Sequence, residues 1–542
     1  MTPNMPPFLR ERTHLRHGAI CWYPFAPGAS ALDLSDGALT GWLERKCGRL
    51  DSSPQRGAAY DYIVAFDPPE LGVGALLEFR GRLKAGGRLL MAYENPFALR
   101  FWAGRRPEPG KAPYESLFGR AGGPSKAEMS RRLAAAGFPS QKWYYPMTDH
   151  WLTTELYSDA YLPNEMLNQR GNLFVYDDPQ LQFCELPLYR EAIRNGAFEF
   201  MCPAYLVEAG DGTEPCAVDY AAVTIYREPS RRFATAVRSD GTVRKTALHG
   251  DAEAGLARTL RNHEELASLG VRVLPLRLDG DSLVMERLDL PTILDCWAAK
   301  LAGGSLDEAE FVGHYDRIRD AIRRSAAGGR CYWELVPANC FYDAAGDDMI
   351  FFDQEFCWDG LEDAADVALA RAILGIYYGD IFGEDSIRMG GMMEKLKSRY
   401  GLASGWDRLA RLANEGTREV FGDALEPAWR TTGQARARTA ELRRRLMFAP
   451  LAERLRGKTA IVYGYGRRGK RLCRVLEDCG AGPAAVVDRG CGEYRSLGEL
   501  PAGIDADMVI VSILDGGSIA EGLRAQTGLP VYTIEELLEG AN

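Results

Sequence analysis

The sequence predicts an α/β protein of several domains, on three observations. Tyr60-Asp-Tyr-Ile-Val-Ala-Phe66 and the apolar run after Gly86-Gly87 have the continuous hydrophobicity of strands buried on both faces, as in parallel sheets. From 215 to 423, alternating strands give way to long helical runs, with polar residues at regular spacing between them. Near the C-terminus, a short strand runs straight into Gly-x-Gly-x-x-Gly and a helix. A chain of 542 residues exceeds a single core and implies roughly three or four domains. The expected boundaries are 1–210, 215–423, a helical connector over 424–455, and 456–542.

The first region holds two strong strands. Tyr60–Phe66 is one; Leu83-Lys-Ala-Gly-Gly-Arg-Leu-Leu-Met-Ala-Tyr-Glu-Asn95 is the other, with Gly86 and Gly87 expected to form a turn into it. Upstream, Ala31-Leu-Asp-Leu-Ser-Asp-Gly37 has the form of a first strand and its loop. These strands resemble those of class I S-adenosylmethionine-dependent methyltransferases. The interval from Leu34 to Asp61 is only 27 residues, about the length of one βαβ unit. The cofactor half of such a sheet is therefore expected to be missing, and S-adenosylmethionine is not expected to bind. Asp51 is either a remnant of the acid that holds the ribose or an ordinary turn residue. The aromatic run from Trp143-Tyr-Tyr-Pro to Tyr161-Leu-Pro either lines a sugar site or packs a domain junction.

The middle region carries the most chemistry. Thr242-Val-Arg-Lys-Thr-Ala-Leu248 alternates as a strand and contains Lys245. Nineteen residues on, inside the helical run from Asp251 to Leu269, lies Glu264. Ser282-Leu-Val-Met-Glu-Arg-Leu288 is a further strand. Trp333-Glu-Leu-Val-Pro-Ala-Asn339 places an acid, Glu334, five residues before Asn339, and Asp353 follows fourteen residues after that Asn. This order resembles the aminoglycoside-phosphotransferase-like kinase superfamily. The resemblance implies a two-lobed α+β domain that binds ATP and magnesium. Lys245 would hold phosphate and Glu264 would hold Lys245. Glu334 would act as base, and Asn339 and Asp353 would bind the metal. Two departures matter. The turn Arg227-Glu-Pro-Ser-Arg-Arg232 contains no glycine to cover phosphates. A Glu stands at 334 where an Asp is expected, and its extra methylene intrudes on the space for a substrate hydroxyl.

The connector from Ala424 to Leu455 is rich in arginine, at 436, 438, 443, 444 and 445. A solvated helix face and an anion site are both open. Beyond it, Lys458-Thr-Ala-Ile-Val-Tyr463 leads into Gly464-Tyr-Gly466-Arg-Arg-Gly469. Asp488 ends the next strand, nineteen residues past Gly469. This resembles the Rossmann fingerprint: the glycines admit a pyrophosphate to a helix N-terminus and the acid takes the ribose hydroxyls. The implied ligand is NAD or a nucleotide-sugar. The region is short, with strands expected at Asp507–Ser512 and Val531–Ile534. A docking module that keeps its glycines for packing is equally open.

Composition narrows the partners. Net charge is −10, which argues against a general nucleic-acid or anionic-membrane role. No apolar run reaches membrane-spanning length, and the first residues lack signal-peptide character. The 12 cysteines show no CxxC pair, as expected of reduced thiols in a cytoplasmic protein. Tyr144-Tyr-Pro-Met-Thr-Asp-His150, Asp159-Ala-Tyr-Leu-Pro163 and Phe352-Asp-Gln-Glu-Phe356 resemble multidomain proteins of bacterial surface-polysaccharide loci. That resemblance implies phosphate transfer to a sugar or glycan-lipid hydroxyl. Two alternatives stand beside it: methylation of a surface glycan, and an inactive scaffold for other glycan-biosynthesis enzymes.

Overall fold

The computed structural model describes residues 13–106, 112–118, 123–164, 182–302, 305–326, 329–375, 386–421, 451–480, 482–490, 492–513 and 516–539, with isolated positions between 433 and 442. The chain divides into two compact units, Met1–Ala435 and Arg436–Asn542.

The first unit is organised on one mixed sheet of twelve strands. Its first seven strands are β1 (Ser30–Leu34), β2 (Arg49–Asp51), β3 (Tyr60–Phe66), β4 (Leu83–Glu94), β5 (Ser140–Thr148), β6 (Thr153–Ser158) and β7 (Ala204–Gly210). The last five are β8 (Val218–Val223), β9 (Phe233–Arg238), β10 (Thr242–Ala247), β11 (Arg277–Asp279) and β12 (Ser282–Glu286). The order across the sheet is β11-β12-β10-β9-β8-β6-β5-β7-β4-β3-β1-β2. Only β1 to β4 pair in parallel; every other junction is antiparallel. In β3 and β4 alternate side chains feed opposite faces. Ile63, Ala65, Leu89 and Met91 meet Leu76, Met129 and Leu133 on one side. Val64, Phe66, Leu90 and Ala92 meet Ile20, Trp42 and Leu43 on the other.

The interval between Leu34 and Asp61 holds one helix, Thr40–Lys46, and the three-residue strand β2. A helix of two turns and a strand of one residue pair either side of Leu50 are short enough to fit. Gly86 and Gly87 do not separate two strands. They form an irregularity inside β4, where pairing jumps from Tyr60↔Leu83 to Tyr62↔Arg88 and Gly86 takes φ 75°. The boundary at 210–215 does not divide two sheets, because β6 pairs with β8 through Glu155↔Ala222 and Leu156↔Ala221. The two expected domains share a backbone hydrogen-bonding network.

Below β8–β12 the unit continues as helices. Glu253–Ser268 packs Leu256 onto Phe233, Ala247 and Leu283. Glu308–Ser325 and Ala364–Leu374 build a separate apolar core around Trp297, Phe311, Tyr315 and Ile318. Short pairs β13 (Cys331–Tyr332) with β16 (Cys357–Trp358), and β14 (Cys340–Asp343) with β15 (Asp348–Phe351), frame the loops that carry Glu334, Asn339 and Asp353.

The second unit is a four-stranded parallel sheet. Its strands are β17 (Ala460–Tyr463), β18 (Pro483–Val487), β19 (Met508–Val511) and β20 (Val531–Thr533), in the order β18-β17-β19-β20. Arg436, Arg443, Arg444 and Arg445 of the connector lie outside the described residues. Among the described residues no helix is long and apolar enough to cross a membrane, and none of the described cysteines is bridged.

Candidate functional site

Register across the sheet brings one line of residues to a common face. Directly paired residues point the same way. Glu155↔Ala222, Ala222↔Thr235, Thr235↔Lys245 and Lys245↔Leu283 therefore form a row across β6, β8, β9, β10 and β12. Tyr220, Val237, Val243 and Met285 form the next row on that face. Both rows roof a cavity of about 380 Å³, closed below by Leu274, Ala338, Asn339, Phe341, Phe352 and Asp353. Its size and mostly apolar walls with few polar groups are those of a small-molecule site.

Lys245 lies at the polar end, 4% exposed. Its ammonium donates to Asp353 Oδ1 and Glu355 Oε1. Arg227 donates to the other oxygen of Glu355 at 2.7 Å. Burial opposes the charge on Lys245, but Asp353 and Glu355 override it and hold the ammonium's pKa above its ordinary value. Enclosure likewise opposes ionisation of Asp353, and the Lys245 ammonium prevails, so the carboxyl sits below its usual range. Asp353 has φ 58°, left-handed for a non-glycine residue, which places backbone strain at the site. The next residue compensates: Gln354 N–H donates to His263 Nε2 at 3.3 Å and Gln354 O accepts from Asn262 at 2.9 Å. Burial lowers the His263 pKa, as suits a neutral ring that accepts at Nε2 and donates from Nδ1 to Leu274 O.

Glu264 is not part of this arrangement. The buried stripe of its helix runs through Gly255, Leu256, Thr259, Asn262, His263 and Leu266, and position 264 turns out to solvent. Glu355 takes the place expected of Glu264 beside Lys245. Arg258, Asn262 and His263 instead hold the backbone of 354–355. Glu334 is placed differently from expectation too. It is buried, is not part of the cavity wall, and accepts the Glu355 N–H through Oε2 at 2.7 Å. Burial, then the carboxylates of Glu355 and Asp353, push its pKa well above the ordinary carboxylate range. Asn339 and Asp353 share the cavity wall as expected. Nucleotide-bound magnesium takes one or two protein ligands and completes its shell with phosphate and water. This pair fits that donor set, and among the described residues no group of three or more His, Cys, Asp or Glu forms a metal cluster.

Sequence reasoning missed Glu355, Arg227, Asn262 and His263. Glu355 had a signal: it lies two residues past Asp353 in Phe352-Asp-Gln-Glu-Phe356, close enough for both carboxylates to meet one cation. Arg227 had none, because its partner is 128 residues away.

A second cavity, about 740 Å³, opens at the carboxyl ends of β1 and β3, between Asp33, Asp36, Gly37, Ser52, Pro68 and Glu70. Asp51, the candidate ribose acid, accepts from the Tyr60 hydroxyl at 2.8 Å and Arg49 at 2.6 Å. Trp143, Tyr144 and Tyr145 are buried in the sheet, as the packing reading of that run expects.

In the second unit, Gly464 has φ 96° and Gly469 abuts it so closely that an added Cβ would lie 1.9 Å from Gly464 O. Gly466 has no atom within 4 Å of where its Cβ would stand. Asp488 accepts Tyr465 N–H at 2.6 Å and Gly490 N–H at 2.8 Å, so its carboxylate braces the glycine loop.

The chain matches no protein-family model, and no curated protein matches it.

Proposed function

We propose that the Met1–Ala435 unit binds a nucleoside triphosphate with magnesium in the Lys245 cavity, as a phosphotransferase-like domain of the aminoglycoside-phosphotransferase kind. Transfer to a sugar or glycan-lipid hydroxyl is slow or absent. The observation that carries this reading is the convergence of Lys245, Asn339 and Asp353, from three separate segments, on one largely apolar cavity. Lys245 would meet the α/β-phosphates. Asn339 and Asp353 would hold magnesium, which when bound offsets the phosphate charge. Leu274, Leu283, Met285 and Phe352 supply flat apolar contact for a base. Lys245 and Arg227 pair with Asp353 and Glu355, so two cations face two anions at the polar end of the cavity.

Glu334 also favours a second reading, a scaffold for other glycan-biosynthesis enzymes. Its carboxyl holds the Glu355 amide and stands outside the cavity wall. S-adenosylmethionine has no part in either reading. The Arg436–Asn542 unit is read as a site for NAD or a nucleotide-sugar, because Gly466 alone of the three glycines has no packing reason.

Fluorescent-ATP titration of the full chain, with and without magnesium, tests the first reading. We expect magnesium-dependent binding that Asp353→Ala makes magnesium-independent, and little phosphate transfer to sugars. Failure of ATP to bind with magnesium present would leave the scaffold reading.

A further inference from the structure

The cavity roof ends in a residue that lies outside the five strands β8–β12. Glu155 belongs to β6, and the junction of β6 with β8 puts it in the same row as Lys245. The row reads Glu155, Ala222, Thr235, Lys245, and all four line the cavity. An anion and a cation thus stand three strands apart, about 14 Å between backbones, with two small side chains between them. A nucleotide lying along this row has its ribose toward the Glu155 end and its phosphates toward the Lys245 end.

Glu155 is 1% exposed. A carboxylate at this depth is costly unless hydrogen-bonded. Tyr220 donates to Oε1 at 2.8 Å and Tyr157 to Oε2 at 3.1 Å. Each oxygen is therefore held in place by a rigid aromatic donor. Tyr161 stacks on Tyr220, with centroids 4.8 Å apart, and Arg287 lies over Tyr161 at 5.2 Å. The carboxylate is fixed in direction, and aromatic surface lies beside it.

We propose that Glu155 is the ribose-recognising residue of this cavity, accepting the vicinal hydroxyls of the nucleotide, and that the site selects ribonucleotides over deoxyribonucleotides. The inference rests on the nucleotide reading above. Three points support it. A fixed carboxylate accepting ribose hydroxyls is a recurrent solution in nucleotide sites. Electrostatics sets the ligand's direction, with phosphates toward Lys245 and away from Glu155. The small Ala222 and Thr235 leave the path between the two ends open. The residue comes from the strand that joins the two halves of the sheet, so that junction contributes to the site itself.

The test compares magnesium-ATP, 2′-deoxy-ATP and 3′-deoxy-ATP binding to the full wild-type chain. A hydrogen bond to a charged group is worth about 1.5–3 kcal/mol, so ATP should bind roughly 10- to 100-fold more tightly than either deoxy analogue. Glu155→Gln, which keeps one uncharged acceptor, should lower ATP affinity toward that of the deoxy analogues while changing theirs little. Tyr220→Phe, which removes one donor that orients Glu155, should narrow the discrimination without erasing it. Equal binding of all three nucleotides to the wild type overturns the proposal and leaves the nucleotide reading standing. Full discrimination retained in Glu155→Gln overturns the assignment to this residue. Binding of none of the three overturns the nucleotide reading itself. The wild-type comparison needs no variant, so a misfolded substitution cannot shelter the proposal.

Discussion

In the first unit the loop joining β8 to β9 contains no glycine and sends Arg227 into a buried cluster with Glu355 and Lys245. In the second unit the loop after β17 holds Gly464 and Gly466, with Gly469 in the first turn of the helix that follows, and its backbone N–H at Tyr465 is braced by Asp488. Both loops stand where the sequence anticipates phosphates. The first is shaped by long charged side chains reaching from distant segments; the second is shaped by the absence of side chains. A site of the first kind is vulnerable to loss of a charge partner. A site of the second kind is vulnerable to a single added methyl group.

The largest effect should come from the first kind. Glu355→Ala removes the carboxylate shared by Lys245 and Arg227 while both cations stay buried. Breaking a buried pair in this way costs about 3–5 kcal/mol. Glu264→Ala touches a solvent-facing position and should change stability by less than about 0.5 kcal/mol. Urea unfolding of the two variants, followed by a probe in the first unit, separates them. If Glu264→Ala proves the more damaging, the partner of Lys245 has been misassigned.

The glycine loop should answer more moderately and with sharp positional contrast. Gly469→Ala forces a methyl group against Gly464 O, and the helix must shift to accept it, at about 1–3 kcal/mol. Gly466→Ala meets open space and should leave stability within about 0.5 kcal/mol of wild type. Hydrogen-exchange protection of β17 in the full chain reports both. A nucleotide or nucleotide-sugar that protects wild-type β17, but not that of Gly466→Val, would show that the open space is a ligand's approach. Equal loss of protection in Gly466→Ala and Gly469→Ala would mean that Gly466 too is a packing glycine.

The contrast also explains what was legible in the sequence. The strands at Tyr60–Phe66 and Thr242–Ala247 are readable because apolar periodicity is local. So are the glycine fingerprint and the spacing that brings Asn339 and Asp353 together. The junction of β6 with β8 is not, because it depends on pairing between segments 67 residues apart at Glu155↔Ala222, and no local pattern encodes a partner. Glu264 was chosen by sequence distance from Lys245 alone. The helix's own apolar stripe already argued against it, since Leu256, Thr259, His263 and Leu266 define a face that excludes 264. Glu334 was found by spacing, but its burial depends on how the 353–355 turn folds back over it.

The smallest effect separates Glu334 from Asp353 by pH. Glu334 has its folded-state pKa raised by burial and by the neighbouring carboxylates. An unfolded Glu loses its proton near pH 4.3. Above that pH the folded chain binds more protons than the unfolded chain, so stability falls as pH rises toward the folded pKa. Asp353 works in the opposite sense. Its lowered pKa gives stability that is present above about pH 3.9 and lost only in stronger acid. Between pH 5 and 8 the Glu334 effect therefore acts alone within this pair. Glu334→Gln keeps an oxygen to accept the Glu355 N–H but has no proton to lose. Relative to wild type the variant should therefore gain stability as pH rises from 5 toward 8. Urea midpoints of both proteins at the two pH values measure this. Parallel pH profiles would mean that Glu334 is ionised in the folded chain, and the carboxyl would then be available as a base after all.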